Sequence, residues 1–196
     1  PPSDDWDAAL LGFGWLRPLR AADTAITRAN ARSLVEDWIS NPPRRRPLAK
    51  RADVLSRRVI SLLSQAPLVL TETDSKFYRR YLRGLARDIR NLRSAALDIP
   101  DGVARLQVLI ALCYAALCLA NQANQIKTAS RKLSEELQRQ ILPDGGHISR
   151  NPNALIELLA DLLPLRQTFA ARNIPPPSAL LNAIDRMMPM LRFFRH

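Results

Sequence analysis

Apolar residues along this chain recur at steps of three and four, and no segment alternates convincingly with period two. The pattern therefore predicts helices throughout. Residues 1–20 read as irregular, with Trp6, Phe13 and Trp15 as apolar anchors and Pro18 as a breaker. A first helix is predicted over about 23–40, with Ile26, Ala29, Leu34, Trp38 and Ile39 inward, stopped by Asn41-Pro42-Pro43. A second covers about 51–64, with Leu55, Val59 and Leu62 inward, before Pro67 interrupts and Leu68-Val69-Leu70 continues the apolar run. The third is the clearest amphipathic segment: Asp74 can cap it, and Tyr78, Leu82, Leu85, Ile89, Leu92 and Ala96 recur on one side.

After the loop 98–102, residues 103–120 are apolar almost all round, interrupted by Arg105, Gln107 and the hydroxyl of Tyr114. Arg and Gln in its first turns, its alanine content and the lack of a comparable second segment argue against a membrane span. A helix buried among other helices is the simpler reading. A polar helix follows over about 128–140, with Leu133, Leu137 and Ile141 inward. A long one runs over about 151–172, where Pro164 predicts a kink. A last one, capped by Ser178, runs through about Phe194 and is disturbed by Pro189. Six to eight helices joined as hairpins, alternating between fully buried and amphipathic, predict an inner and an outer layer.

The most site-like stretch is Asp144-Gly145-Gly146-His147-Ile148-Ser149-Arg150-Asn151-Pro152. Two glycines allow a tight turn, and Asn followed by Pro marks a helix start. His147 and Arg150 are thus expected between a turn and a helix N-terminus, whose partial positive charge suits an anion. A purely structural loop is the competing reading. Gly12-Phe13-Gly14-Trp15 has too few glycines for a phosphate loop.

Charge sharpens the picture. The 196 residues carry a formal net charge of +11, with 29 Lys and Arg, most of them Arg. Such a balance points to polyanionic partners. Arg80, Arg83, Arg87 and Arg90 form a stripe that reads first as a solvated face and second as a track for a polyanion. The triplet Arg44-Arg45-Arg46 reads as solvated loop. Cys113 and Cys118, five apart on a helix, cannot bridge and read as buried free thiols. One internal His, with neither paired carboxylates nor a Cys-x-x-Cys near it, argues against a metal site, and no cofactor is expected. No nucleophile-elbow pattern supports a Ser-His hydrolase. The chain begins Pro1-Pro2 and reads as a piece of a longer protein, so periplasm and cytoplasm stay open as compartments.

The run Gln138-Arg139-Gln140-Ile141-Leu142-Pro143-Asp144-Gly145-Gly146-His147, with Arg150, Pro152 and Leu158-Leu159-Ala160-Asp161-Leu162, resembles the helical domain of heparinase II/III-like proteins. Phe13-Gly14-Trp15-Leu16-Arg17 and Met187-Met188-Pro189-Met190-Leu191-Arg192 are similar to bacterial members as well. The resemblance implies an all-α fold, an incomplete α/α toroid of helical hairpins over 1–196, and a C-terminal β-sandwich domain absent from these residues. It also implies polysaccharide lyase chemistry on uronate-containing chains. β-Elimination needs a group that neutralises the uronate carboxylate, a base for the neighbouring C–H, and an acid for the leaving oxygen.

The departures fall where that chemistry is placed. Ser149 stands where the family's run has Glu, Asn151 replaces Ser, Ala154 replaces Tyr and Leu155 replaces His. The inner helix 103–120 lacks the Asn-His pair. What carries over is His147, Arg150 and Pro152. The resemblance makes His147 the catalytic candidate, with Tyr114 a remote one. Arg150, Asn151, Arg105 and Gln107 are candidates for binding an anionic polysaccharide. Two other readings stay open: a carbohydrate-binding or scaffold domain without elimination chemistry, and a basic nucleic-acid-binding domain. Few aromatics and no reader motif weigh against the last.

Overall fold

In the computed structural model, which describes residues 3–41, 47–96, 98–119 and 123–194, the chain is all-α. Ten α-helices are present among the described residues: α1 Asp4–Leu11, α2 Leu16–Ala22, α3 Ala25–Ser40, α4 Ala52–Ser64, α5 Ala66–Leu70, α6 Ser75–Ala95, α7 Val103–Leu119, α8 Ala123–Gln140, α9 Pro152–Ala171 and α10 Ser178–Phe193. A short 3-10 turn spans Pro47–Lys50. The triplet Arg44-Arg45-Arg46 lies outside the described residues, as do Asn121 and Gln122 of the polar stretch 121–125 expected to break the helical pattern. Ala123, Asn124 and Gln125 of that stretch instead form the first turn of α8, which starts before the expected 128. No helix of the described residues is long and apolar enough to cross a membrane.

Ten helices exceed the six to eight expected, and the first two fall in the stretch read as irregular. Ser3 accepts a hydrogen bond from the Trp6 N–H and caps α1, while Asp4, Asp5 and Asp7 in its first turn favour the positive helix end. Pro18 does not break α2. It sits in the first turn, where a missing N–H costs nothing. Further on, Thr24 and Thr27 close a reciprocal cap at the start of α3.

The contacts divide the chain into two compact units, 1–97 and 98–196. In the first, α3 packs on α2, α5 and α6, and α4 packs on α1, α6 and the 3-10 turn. Leu55, Val59 and Leu62 face inward as expected, with Leu85, Ile89 and Leu92 from α6. The inward side of α3 differs from the expected one. Ala31 and Val35 are buried, whereas Ile26 is 73% and Leu34 55% exposed. Tyr78 is likewise exposed, and Phe77 and Tyr81 take the core positions of α6. Trp6, read as an anchor, is half-exposed, whereas Phe13 is buried.

A charged residue centres this unit. Arg58 donates from Nε to Asp88 at 2.8 Å, from Nη1 to the Leu11 carbonyl at 2.9 Å and from Nη2 to the Ala49 carbonyl at 3.0 Å. Its guanidinium carbon lies 4.7 Å from the centroid of the Trp38 ring. Each nitrogen of the buried cation has an acceptor, which is the condition for tolerating it there.

In the second unit α7 packs on α8 and α9, and α10 packs on both of those. Leu106, Ile110, Leu117, Leu133, Leu137, Leu158, Leu162 and Leu180 are buried. The near-uniform apolar surface of α7 is explained by this burial. Cys113 is buried and Cys118 is exposed, which corrects the expectation that both are buried. Pro177, not Ser178, occupies the N-cap of α10.

Candidate functional site

The stretch 140–151 forms a closed knot between α8 and α9. Ile141 and His147 pair as an isolated antiparallel bridge. The Leu142 N–H donates to the Gly146 carbonyl at 2.8 Å and the Ile148 N–H to the Gln140 carbonyl at 2.9 Å. Gly145 has φ +85° and lies against the backbone of α10, so that a Cβ there would overlap the Arg186 carbonyl oxygen. Only glycine fits both conditions. Arg150 has φ +55°.

His147 is buried, at 1% exposure. Its Nδ1 accepts the Ser149 N–H at 3.1 Å and lies 2.8 Å from the Ser149 hydroxyl. Nδ1 is therefore the acceptor nitrogen, and Nε2 carries the proton that it donates to Gln140 Oε1 at 2.8 Å. Burial lowers its pKa below the ordinary 6.5. The imidazole is thus neutral, satisfied on both sides and turned into the protein. This corrects the expectation of an imidazole held open beside a helix N-terminus: the two-residue return from His147 to Ser149 and the reach of Gln140 draw the ring inward.

Gln140 continues the chain of contacts by donating to Glu136. Glu136 also accepts from Arg105 Nε at 2.9 Å and from Arg139 Nη2 at 2.6 Å. Arg139 reaches Asp101 at 2.7 Å, and Arg105 donates to the Ile99 carbonyl at 2.9 Å. Burial would raise the Glu136 pKa, but the hydrogen bonds from Gln140, Arg139 and Arg105 outweigh it and hold the carboxyl below its ordinary 4.5. One network thus runs from the 98–102 loop through α7 and α8 to His147.

The other expected site residues have separate partners. Arg150 is 62% exposed in its side chain and pairs with Asp144 at 2.5 Å. That contact and the Gly146 N–H lower the Asp144 pKa. Asn151 accepts the Asn153 N–H at 3.0 Å and caps α9, so a helix-end N–H that an anion would use is taken. Gln107 is buried and donates to Glu157 at 3.3 Å. Tyr114 is buried, with its hydroxyl 3.4 Å from the Asp161 carbonyl, and burial raises its pKa, with Asp161 adding to the rise. Arg105 is linked to His147 through Glu136 and Gln140, whereas Tyr114, Gln107 and Arg150 are not part of that chain.

The sequence reading missed Glu136, Arg139 and Gln140 as a unit. A signal was there: Leu133, Glu136, Leu137 and Gln140 share one helical face at steps of three and four, so two polar residues turn inward with two leucines. Among the described residues no group of three His, Cys, Asp or Glu is placed to hold a metal ion. Within residues 1–97 a cleft of about 480 Å³ is lined by Trp6, Ala9, Leu10, Gly14, Trp15 and Arg57.

This fold is shared with polysaccharide lyases. The chain matches the crystal structure of heparinase III with a TM-score of 0.77 at 19% identity, over 98% of this chain and 31% of that one. It matches heparan sulfate lyase HepC from Pedobacter heparinus with a TM-score of 0.66 at 14% identity, over 98% and 32%. At these identities the likeness is one of fold. No protein-family model matches the chain. A curated relative is nearer in sequence: FtsZ-localized protein C of Caulobacter vibrioides (strain NA1000 / CB15N) is 33% identical over 196 residues. The match takes in 98% of this chain and 33% of the relative, so the chain spans about a third of that protein's length.

Proposed function

We propose that this chain is a binding and scaffold segment, built on a polysaccharide-lyase-like helical frame, of a protein that localizes with FtsZ. The observation that carries the reading is the state of His147. Elimination needs a group that meets the uronate carboxylate or moves a proton at the sugar. Here both ring nitrogens are occupied by Ser149 and Gln140 within a buried network. The name of the Caulobacter relative, FtsZ-localized protein C, supplies the FtsZ part of the reading.

A fluorescent fusion of the full-length protein should coincide with FtsZ in dividing cells. Purified full-length protein should release no unsaturated product from heparan sulfate or other uronate polymers, followed by ultraviolet absorbance. A diffuse fusion removes the FtsZ part. Product formation that His147→Ala abolishes, with the helical circular dichroism retained, removes the non-catalytic part.

The shared fold and the net charge of +11 favour a second reading, a lyase or lyase-derived domain holding an anionic polysaccharide. In that reading exposed Arg150 and its neighbour Asn151 meet the glycan, Arg105 and Gln107 orient it from α7, and His147 and Tyr114 serve the chemistry. It requires the 140–151 knot to open so that His147 reaches solvent. The same absorbance assay tests the elimination chemistry of this reading, and retention on immobilised heparin tests whether the glycan is held.

A further inference from the structure

α6 carries Arg80, Arg83 and Arg87 at steps of three and four, so the three side chains rise from one side of the helix. With Ile39, Ser40 and Gly84 they line a cleft of about 240 Å³ between α3 and α6. Gly84 sets its floor: a Cβ there would come within 3.3 Å of Ile39 Cγ1, so the bare backbone lets the two helices approach.

The charges in this cleft are unbalanced. Glu36 of α3 pairs with Arg80, yet the Arg80 Nε is buried with no hydrogen-bond partner. Arg83 forms no salt bridge among the described residues, and its Nε donates to the Arg79 carbonyl at 3.3 Å. Arg87 lies 3.9 Å from Asp88, whose carboxylate is held at 2.8 Å by buried Arg58. Three guanidinium groups thus face one carboxylate free to answer them. An unmatched buried donor is uncommon in a folded protein and marks a place where a partner belongs. Guanidinium donors suit the oxygens of sulfate and phosphate, with a fixed fork geometry and a charge that no accessible pH removes.

We propose that the α3–α6 cleft binds a tetrahedral oxyanion, the sulfate or phosphate group of a monoester. The site lies within residues 36–87 and stands without the function proposed above. A volume of about 240 Å³ admits the group and part of the ring or chain that bears it. A multiply charged group is expected because the local excess is two positive charges.

The test uses the purified chain at constant ionic strength, titrated with sodium sulfate and with sodium phosphate against chloride. Calorimetry and the thermal midpoint are read together. A saturable response at one site per chain is expected, and Arg83→Gln should weaken it about tenfold, the scale of one charge-assisted contact. Arg83 is exposed, so this variant should fold. Arg93→Gln, on the same helix but outside the cleft, should bind as the wild type does. N-acetylglucosamine 6-sulfate and glucose 6-phosphate then tell a sulfated from a phosphorylated source. A non-saturating response, or equal affinity in the two variants, overturns the site. So does binding confined to a single-stranded oligonucleotide with steep salt dependence, which would make the arginines a polyanion track instead.

Discussion

His147 is neutral in the folded chain because burial penalises the imidazolium and because the Ser149 N–H needs Nδ1 as an acceptor. Its folded pKa therefore lies below the unfolded value of about 6.5. The unfolded state binds the proton first as pH falls, so the stability from His147 is complete above 6.5 and is lost as pH drops toward the folded value. The slope contributed by this one group can reach about 1.4 kcal/mol per pH unit. Denaturant titrations of wild type and His147→Asn between pH 7.5 and 5 should show the variant less stable at pH 7.5 and flatter across the range. Equal slopes would mean that the imidazole is not held neutral. Gly145 is the second decisive residue. Gly145→Ala meets the Arg186 carbonyl and an unfavourable φ together, and should destabilise by roughly 2–4 kcal/mol in chemical denaturation, more than φ strain alone. The sequence made both residues visible as a motif. It did not show that the ring points inward, because that depends on Gln140 and Ser149 meeting it across a turn.

At the scale of the element, α8 shows how a polar helix is held. Its apolar residues Leu133 and Leu137 anchor it, while Glu136 ties Arg105 of α7 to Arg139. Removing one partner of a fully buried ion pair costs roughly 3–5 kcal/mol. Arg105 and Arg139 keep contact with water, so Glu136→Gln should cost less, about 2 kcal/mol, measured by urea unfolding at pH 7. In the wild type this contribution is present above pH 4.5 and fades as pH falls through the depressed Glu136 value. Equal stability of wild type and Glu136→Gln at pH 7 would show that the network adds nothing. Helix positions were largely legible: α3, α4, α7 and α9 begin and end near their predicted limits, α6 starts after the Asp74 cap and α10 starts at Ser178, whereas α8 starts at Ala123, ahead of the expected 128. α1 and α2 were missed because each is short, and their start signals, the Ser3 cap of α1 and Pro18 in the first turn of α2, outweigh a weak periodicity. The inward side of α3 was misassigned because Ile26 and Leu34 look like core residues, yet packing on α2, α5 and α6 selects Ala31 and Val35.

At the scale of the whole molecule, a net charge of +11 spread over an all-α chain is expected to draw polyanions through many weak contacts. Affinity for a heparin oligosaccharide should fall on the order of tenfold or more between 50 and 200 mM salt. Arg83→Gln with Arg87→Gln should flatten the plot of log affinity against log salt. An unchanged slope in surface plasmon resonance would place the contact elsewhere. The same scale marks the limit of sequence reading for this protein. Local chemistry by itself determined where most of the longer helices run, that α7 is apolar almost all round and that 144–152 is a tight turn before a helix start, since periodicity, caps and glycines act within a few residues. Tertiary packing alone decided that His147 is enclosed and that Glu136 gathers two arginines. It also decided that Arg80, Arg83 and Arg87 share a cleft with Ile39 and Ser40. Burial and charge balance are set by residues distant in the chain, and no local pattern encodes which of them arrive.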